Sequence, residues 1–291
     1  LDWHLRYNED TQSYDTISGL FQEGDVLAAI FEIPVYTRDG VDAIPDGQEL
    51  TGVSAIQIAG IEQVDDGLGG TTTTLIFAPV DNGLNSILDI GTSGASVVEG
   101  NAGEGAMVAM WFNSDVGTDD LDINRATTGL SSGTANCDSL GECVTEASLG
   151  SLFQVDGFSG EDNDEFWTST PIQPAGTAFN SAAVANLNNA TLVAGFNAGL
   201  SNFFQDGGRI SWQDVATGAD CGEVGRVDDD GCIQLVLSGT ILGGQGVTNG
   251  AFAHSDLDAD KILVPAPGVM SLMAIGLLGM GAFSRRKRIA A

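Results

Sequence analysis

Short apolar segments of strand length recur along the first 263 residues, and each is bounded by Gly, Asp, Asn or Pro. Some of them alternate between apolar and polar positions, as in Ile233–Leu242, where Ile233, Leu235 and Leu237 share one face. This pattern predicts nine strands: Val26–Tyr36, Val53–Val64, Thr71–Val80, Ala106–Phe112, Leu149–Val155, Ala190–Gly199, Gly208–Val215, Ile233–Leu242 and Gly250–Leu263.

Helical patterns are sparse in the same region. Phe179–Asn188 is the one candidate for a short helix, and the polar segment Asp115–Glu146 is interpreted as a long surface excursion. The region lacks the alternation of strands and helices that would indicate a parallel sheet. We therefore expect residues 1–263 to form one all-β domain, an antiparallel β-sandwich or jelly roll.

Residues 264–291 form a different kind of segment. A proline-containing break is followed by an apolar run from Val269 to Phe283 and then by a basic cluster. The run predicts a separate short apolar helix, although a helix that spans a bilayer usually needs about 20 residues. The basic cluster consists of Arg285, Arg286, Lys287 and Arg288.

The charge balance differs sharply between these two regions. All 40 acidic residues and six of the ten basic residues lie before residue 265, which gives that part a formal charge of −34. Such a field repels phosphate backbones and excludes nucleic acid as a partner. It attracts divalent cations and keeps a surface protein soluble, and a simple solvated acidic surface is the alternative interpretation.

The four cysteines fall into two close pairs, Cys137 with Cys143 and Cys221 with Cys232. Neither pair has the CxxC spacing of a zinc or redox site. Adjacent pairing closes two small loops, so we predict two local disulfides and an oxidising, extracytoplasmic location; four free thiols are the alternative. No charged and apolar leader precedes Asp2, and we expect that a signal peptide has been removed or is missing.

Clustered carboxylates are the candidate metal ligands. Asp256, Asp258 and Asp260 have the spacing that opens an EF-hand loop, but the rest of that motif does not follow. Asp228 and Asp230 lie between the second pair of cysteines. Hard oxygen ligands favour Ca²⁺, which is the one cofactor that the sequence suggests; solvated acidic turns are the alternative.

Catalytic chemistry is poorly supported. Gly129–Gly133 matches the G-x-S-x-G string, but it lies in a polar loop rather than between a strand and a helix. His4 and His254 lack neighbouring ligands for a metal site. We therefore expect no enzyme, and the alternative function is a carbohydrate-binding or glycoside-hydrolysing module, in which Trp side chains could stack on sugars.

The segment after residue 263 resembles the PEP-CTERM sorting signal of Gram-negative surface proteins. Val264, Pro265 and Pro267 match its Val-Pro-Glu-Pro motif, with Ala266 in the place of Glu, and an apolar run and an Arg-rich end follow in the same order. The resemblance implies processing by an exosortase-like enzyme at the inner membrane. If cleavage does not occur, the segment remains as a membrane anchor with its basic end in the cytoplasm.

Together these features predict an exported protein of the cell envelope or extracellular matrix. The resemblance implies a role in biofilm or floc material, with extracellular polysaccharide or other copies of the chain as partners. Divalent cations that bridge acidic patches would supply adhesion.

Overall fold

The structure is a computed structural model of the 291-residue chain. It describes residues 1–33, 37–38, 41–42, 44, 48–65, 71–91, 105–113, 121, 123–124, 134–158, 166–172, 181–182, 192–199, 201–205, 211–213, 235–243, 249–260 and 262–264.

Strands dominate the described residues. They are β1 (Asp2–Asn8), β2 (Ser13–Thr16), β3 (Val26–Glu32), β4 (Thr37–Arg38), β5 (Val41–Asp42), β6 (Glu49–Asp65), β7 (Thr71–Ala78), β8 (Ala106–Asn113), β9 (Ile123–Asn124), β10 (Thr134–Ala135), β11 (Ser151–Gly157), β12 (Phe166–Ile172), β13 (Leu192–Gly199), β14 (Ser201–Gln205), β15 (Ser211–Gln213), β16 (Leu235–Gly243), β17 (Ala253–Asp260) and β18 (Ile262–Val264). Two helices accompany them, α1 (Asn85–Leu88) and α2 (Leu140–Ala147).

Twelve strands form one sheet in which every neighbouring pair is antiparallel. Eight of them form a closed circuit of hydrogen-bonded neighbours in the order β6, β3, β1, β17, β16, β13, β12, β7 and back to β6. Strands β8, β11 and β14 branch from β6, and β2 pairs with β1. The prediction of an antiparallel all-β fold is confirmed.

The long strand β6 makes the circuit possible. Its first part, Glu49–Ser54, pairs with β8, whereas Gln57–Asp65 pairs with β7 along the same edge. The opposite edge pairs with β3. The register with β7 shifts between Ile58 and Gly60, and such a bulge bends a strand and increases its twist. One strand thereby takes part in two groups of neighbours.

The central strands bury both of their faces. In β3, Val26, Ala28 and Ile30 enter one apolar cluster, whereas Leu27 and Phe31 pack against the other. Burial on both faces explains why these strands appear in the sequence as nearly continuous apolar runs.

The first cluster, which we call the helix-side core, lies between the sheet and the two helices. It consists of Leu1, Trp3, Leu5, Val26, Ala28, Ile30, Val53, Ala55, Val80, Leu84, Ile87, Ala106, Ala109, Trp111, Leu121, Cys137, Leu140, Cys143, Val144, Ala147, Val155 and Ala251.

The second cluster, the strand-side core, lies on the other face of the same strands and includes residues of β7 and β12. It consists of Phe21, Leu50, Ile56, Ile58, Leu75, Phe77, Met107, Val108, Met110 and Trp167.

Helix α2 lies inside the segment that was predicted as a surface excursion, and that prediction is wrong for its last part. The Ser139 hydroxyl caps the helix by accepting from the Glu142 N–H at 3.2 Å, and the Glu142 carboxylate accepts from the Asp138 N–H at 2.8 Å. Four residues of α2 face the helix-side core, and the Thr51 hydroxyl donates to the carbonyl of Ala147 at 2.8 Å. The helix covers the sheet rather than facing solvent.

Each of the nine predicted strands overlaps an observed one, but eight observed strands were not predicted, namely β1, β2, β4, β5, β9, β10, β12 and β14. The predicted strand Gly250–Leu263 is two strands, since β17 pairs with β16 and β18 pairs with β15. Of the predicted helix Phe179–Asn188, the structure describes only residues 181–182, and these are helical.

Candidate functional site

A polar network lies within the apolar interior, centred on His4 of β1. The two neighbours of His4 along the strand, Trp3 and Leu5, belong to the helix-side core, so His4 points to the other face. There its ring lies 4.7 Å from the ring of Phe21, a member of the strand-side core. The side chain of His4 is 0% exposed. Buried polar groups need partners, and both ring nitrogens have one.

The first partner is Asp25, which directly precedes β3 and is 1% exposed. His4 Nε2 donates to Asp25 Oδ2 at 2.8 Å, and the Gln22 N–H donates to the same oxygen at 2.8 Å. Because a carboxylate only accepts, Nε2 carries a hydrogen in this arrangement.

Arg6, two residues after His4 on the same face of β1, lies at the solvent-exposed end of the network. Its Nε donates to Asp25 Oδ1 at 2.6 Å and its Nη2 donates to Oδ2 at 2.9 Å. The carboxylate thus accepts four hydrogen bonds, two of them from a bidentate guanidinium, which is the strongest pairing geometry for these groups. The Arg6 side chain is 42% exposed, so the ion pair connects the interior to the surface.

The second partner of His4 is Ser181, which is distant in sequence and 0% exposed. The Ser181 hydroxyl lies 2.8 Å from His4 Nδ1 and accepts from the Gly19 N–H at 2.9 Å. The Ser181 N–H donates to the Gly19 carbonyl at 3.0 Å. Three separate parts of the chain, namely β1, the segment before β3 and residues 181–182, meet at these contacts.

Burial lowers the pKa of His4, and the charge of Arg6 acts in the same direction, whereas the hydrogen bond and the charge of Asp25 oppose it. Burial alone would raise the pKa of Asp25, but hydrogen bonds from Arg6, His4 and Gln22 outweigh it and hold that pKa below its usual range. At neutral pH the network therefore contains a neutral imidazole, a carboxylate and a guanidinium. In that state the hydroxyl of Ser181 donates to Nδ1.

Ser181, His4 and Asp25 have the residue types of a hydrolase triad, but their placement does not suit one. A nucleophile must meet its substrate, and here the serine, histidine and aspartate side chains are all shielded from solvent. The Ser181 hydroxyl is also engaged with Gly19. The arrangement can hold chain segments together and can take up or release a proton.

The predicted disulfide between Cys137 and Cys143 is present, with the Cα atoms 5.1 Å apart and both residues buried in the helix-side core. Asn249 anchors the disulfide loop. Its side-chain Nδ2 donates to the Cys137 backbone carbonyl at 3.2 Å, and its own backbone carbonyl accepts from Trp3 Nε1 at 3.3 Å. The Ala251 N–H donates to Asn249 Oδ1 at 3.1 Å. The disulfide loop is thereby tied to β1 and to the start of β17.

Three of the predicted calcium ligands share one strand. Asp256, Asp258 and Asp260 lie in β17 opposite Thr240, Ser238 and Val236 of β16. Among the described residues, no group of three or more His, Cys, Asp or Glu side chains is arranged to hold a metal ion.

Several other predicted site residues lie outside the described part of the chain. Val264 is the last residue of β18 and pairs with Ser211, whereas the residues after it are not described. None of the helices that the structure describes has the length and apolar character needed to cross a bilayer. The predicted residues outside the description are Asp228, Asp230, Cys221, Cys232, Pro265, Pro267, Arg285, Arg286, Lys287 and Arg288, together with the string Gly129–Gly133.

Tryptophan side chains are mostly unavailable for stacking on a sugar. Trp3, Trp111 and Trp167 are all buried, the first two in the helix-side core and the third in the strand-side core. Trp212 lies in β15. Trp3, Trp111 and Trp167 thus stabilise the two cores and are not exposed for stacking.

The sequence interpretation missed the network around His4. One local signal was present, since an alternating strand that places His4 and Arg6 on one face and Trp3 and Leu5 on the other predicts a polar cluster at a buried surface. No local signal could identify Ser181, because it lies 177 residues away. Comparison with protein-family models, with curated proteins and with solved structures found no match.

Proposed function

We propose that this chain is a non-catalytic, exported protein of the cell surface or extracellular matrix, sorted by a segment of the PEP-CTERM kind. The observation that carries the proposal is the distribution of charge along the chain. All 40 acidic residues precede residue 265, and four of the ten basic residues cluster at Arg285–Arg288 behind an apolar run. An acidic domain outside and a basic end inside agree with the positive-inside rule.

The buried disulfide supports an oxidising location. Disulfides persist mainly in extracytoplasmic compartments. Cys137 and Cys143 lie within the helix-side core and are anchored by Asn249, which makes their link part of the packing. A second disulfide between Cys221 and Cys232 belongs to the same proposal.

We infer further that residues 1–263 form a β-sandwich or jelly roll, whose two layers are joined through the closed circuit of eight strands. Central strands with two buried faces, together with a strand that bends between two groups of neighbours, favour layered packing. In this proposal the apolar run after Pro267 is a separate short helix that holds the protein at the inner membrane until an exosortase-like enzyme acts.

Adhesion in this proposal comes from divalent cations. A formal charge of −34 before residue 265 would keep copies of the domain apart unless cations intervene. Ca²⁺ binds carboxylate oxygens and can link acidic surfaces to each other or to anionic polysaccharide. Asp256, Asp258 and Asp260, at alternate positions of β17, are the carboxylates we assign to this role.

Light scattering from the purified acidic region, residues 1–263, tests whether divalent cations cause association. We expect particle mass to rise with Ca²⁺ and to return to the starting value with EDTA, and NaCl of matched ionic strength should not reproduce the rise. The triple variant Asp256→Asn, Asp258→Asn, Asp260→Asn should lose most of the response.

A matched control removes the same charge elsewhere. The triple variant Glu9→Gln, Asp10→Asn, Glu23→Gln changes three exposed residues and should keep most of the response. Association that is unchanged by EDTA would overturn the cation mechanism. An equal loss in both triple variants would assign it to overall charge rather than to β17.

A further inference from the structure

The hydroxyl of Ser181 has a choice of two acceptors. It lies 2.8 Å from His4 Nδ1 and 3.2 Å from the Gly19 carbonyl oxygen, and it accepts from the Gly19 N–H at 2.9 Å. When His4 is neutral, the single hydroxyl hydrogen serves Nδ1. When His4 is protonated, Nδ1 becomes a donor, and the hydroxyl hydrogen must turn to the Gly19 carbonyl.

Protonation of His4 keeps the contact with Ser181 but reverses its direction, because Nδ1–H then donates to the Ser181 oxygen at 2.8 Å. The hydroxyl hydrogen is left with the Gly19 carbonyl at 3.2 Å, which already accepts from the Ser181 N–H at 3.0 Å. The reversed hydrogen bond does not by itself separate Ser181 from His4, so the cost of protonation lies in the buried charge.

The charges that face His4 make its protonated state costly. Arg6 from β1 and Asp25 from the start of β3 are the charged groups of the described residues that face it, and Phe21 and Ser181 are uncharged. One carboxylate already pairs with one guanidinium through two hydrogen bonds. A proton on His4 adds a buried positive charge that this single carboxylate must share, and opening the cluster to water relieves that cost.

We propose that His4, Asp25, Arg6 and Ser181 form a pH-responsive clasp, in which proton uptake by His4 places a second buried positive charge against the single Asp25 carboxylate and favours an open form that releases residues 181–182 from the segment around Gly19. The inference does not depend on the sorting segment or on calcium.

The direction in which pH changes the ratio of closed to open clasp follows from the linkage between proton binding and opening. Burial lowers the pKa of His4 in the closed clasp, so the open clasp binds the proton more tightly. The closed form is fully favoured above the ordinary imidazole pKa of about 6.5. Below that value the ratio of closed to open forms falls by up to about tenfold per pH unit, until the pH reaches the pKa of His4 in the closed form.

Amide hydrogen exchange measured by NMR on the full chain tests the clasp. The probes are the Gly19 and Ser181 amides, which donate to the Ser181 hydroxyl and the Gly19 carbonyl, respectively. The reference is the Cys143 amide in α2, which donates to the Ser139 carbonyl. From about pH 7 to 5, we expect protection at both probes to fall relative to the reference by up to about tenfold per pH unit.

Two histidine variants assign the effect, because the chain contains only two histidines. His4→Gln cannot titrate and should remove the relative pH dependence, whereas His254→Gln should retain it. A constant ratio in the wild type, or an unchanged pH dependence in His4→Gln, would overturn the proposal.

If His4→Gln does not fold, the ring signals of the wild type decide. A His4 imidazole that titrates at or above the ordinary value contradicts the clasp, and one that titrates below it together with release of the Ser181 amide supports it.

Discussion

His4 Nε2 donates to Asp25 Oδ2 at 2.8 Å, and both side chains are excluded from water. The pair joins β1 to the residue that directly precedes β3, within an interior that is otherwise largely apolar. Because Asp25 also receives Arg6 and the Gln22 N–H, the aspartate is the group on which the network depends most.

Replacement of Asp25 by Asn should therefore destabilise the fold. The variant loses the charge that balances Arg6 and at least one acceptor position, and the expected loss of unfolding free energy is about 3 kcal/mol. Urea denaturation measures it. Asp15→Asn is the control, since Asp15 is exposed and its contact is with Asn8, and its change should stay within about 0.5 kcal/mol. Equal effects in the two variants would contradict the role assigned to Asp25.

Asn249 should contribute substantially to the free energy of unfolding although its side chain is uncharged. Replacement by Ala leaves the Cys137 carbonyl and the Ala251 N–H without the partner that Asn249 provides, and we expect a loss of about 2 kcal/mol. Thermal or urea unfolding under oxidising conditions gives the value. Asn82→Ala, at an exposed position, should have little effect. A loss below about 0.5 kcal/mol in Asn249→Ala would show that the disulfide loop does not need this anchor.

Two glycines of β6 should respond very differently to Ala. At Gly52 a Cβ atom would come within 2.7 Å of Phe31 Cε2 and 2.8 Å of the Ala109 carbonyl oxygen, whereas at Gly60 its nearest neighbour is Ile76 Cδ1 at 3.4 Å. We expect Gly52→Ala to cost about 2 kcal/mol or more by overpacking, and Gly60→Ala to cost less than about 1 kcal/mol. Denaturant midpoints of the two variants compare them. The reverse order would contradict the close packing of β3, β6 and β8 at this point.

Acid should destabilise the fold through His4 first and Asp25 second. Both groups have a lowered pKa in the folded state, so the unfolded state takes up protons more readily. The contribution of His4 is complete above about pH 6.5 and is lost as the pH falls below it, and that of Asp25 is lost below about pH 4.

Acid also weakens repulsion among the 40 carboxylates. The informative quantity is therefore the difference in unfolding free energy between the wild type and His4→Gln across the pH series. That difference should shrink from about pH 7 to 5 and should not grow.

Much of the sheet could be predicted from the sequence because its strands are buried on both faces. Runs such as Ala106–Phe112 are apolar over strand length and are bounded by turn residues. Strand β1 was not predicted because His4 and Arg6 interrupt its apolar pattern. The same two residues belong to the polar network. Helix α2 was missed although Ser139 and Glu142 have the spacing of a capping box, since a helix of eight residues carries little periodic signal.

The disulfide Cys137–Cys143 could be predicted because its partners are close in sequence. The contact of His4 with Ser181 could not, because it is set by tertiary packing across 177 residues. Similarly, the sequence contains no signal that Asn249 would anchor the disulfide loop 106 residues away.

Intact mass of the protein taken from the native cell surface, reduced and non-reduced, tests the proposed function most directly. We expect a chain that ends near Val264–Pro267 and gains four hydrogens on reduction, as two disulfides require. A chain that retains Arg285–Arg288 would contradict sorting by cleavage. A mass that does not change on reduction would contradict the oxidised, exported state on which the proposal depends.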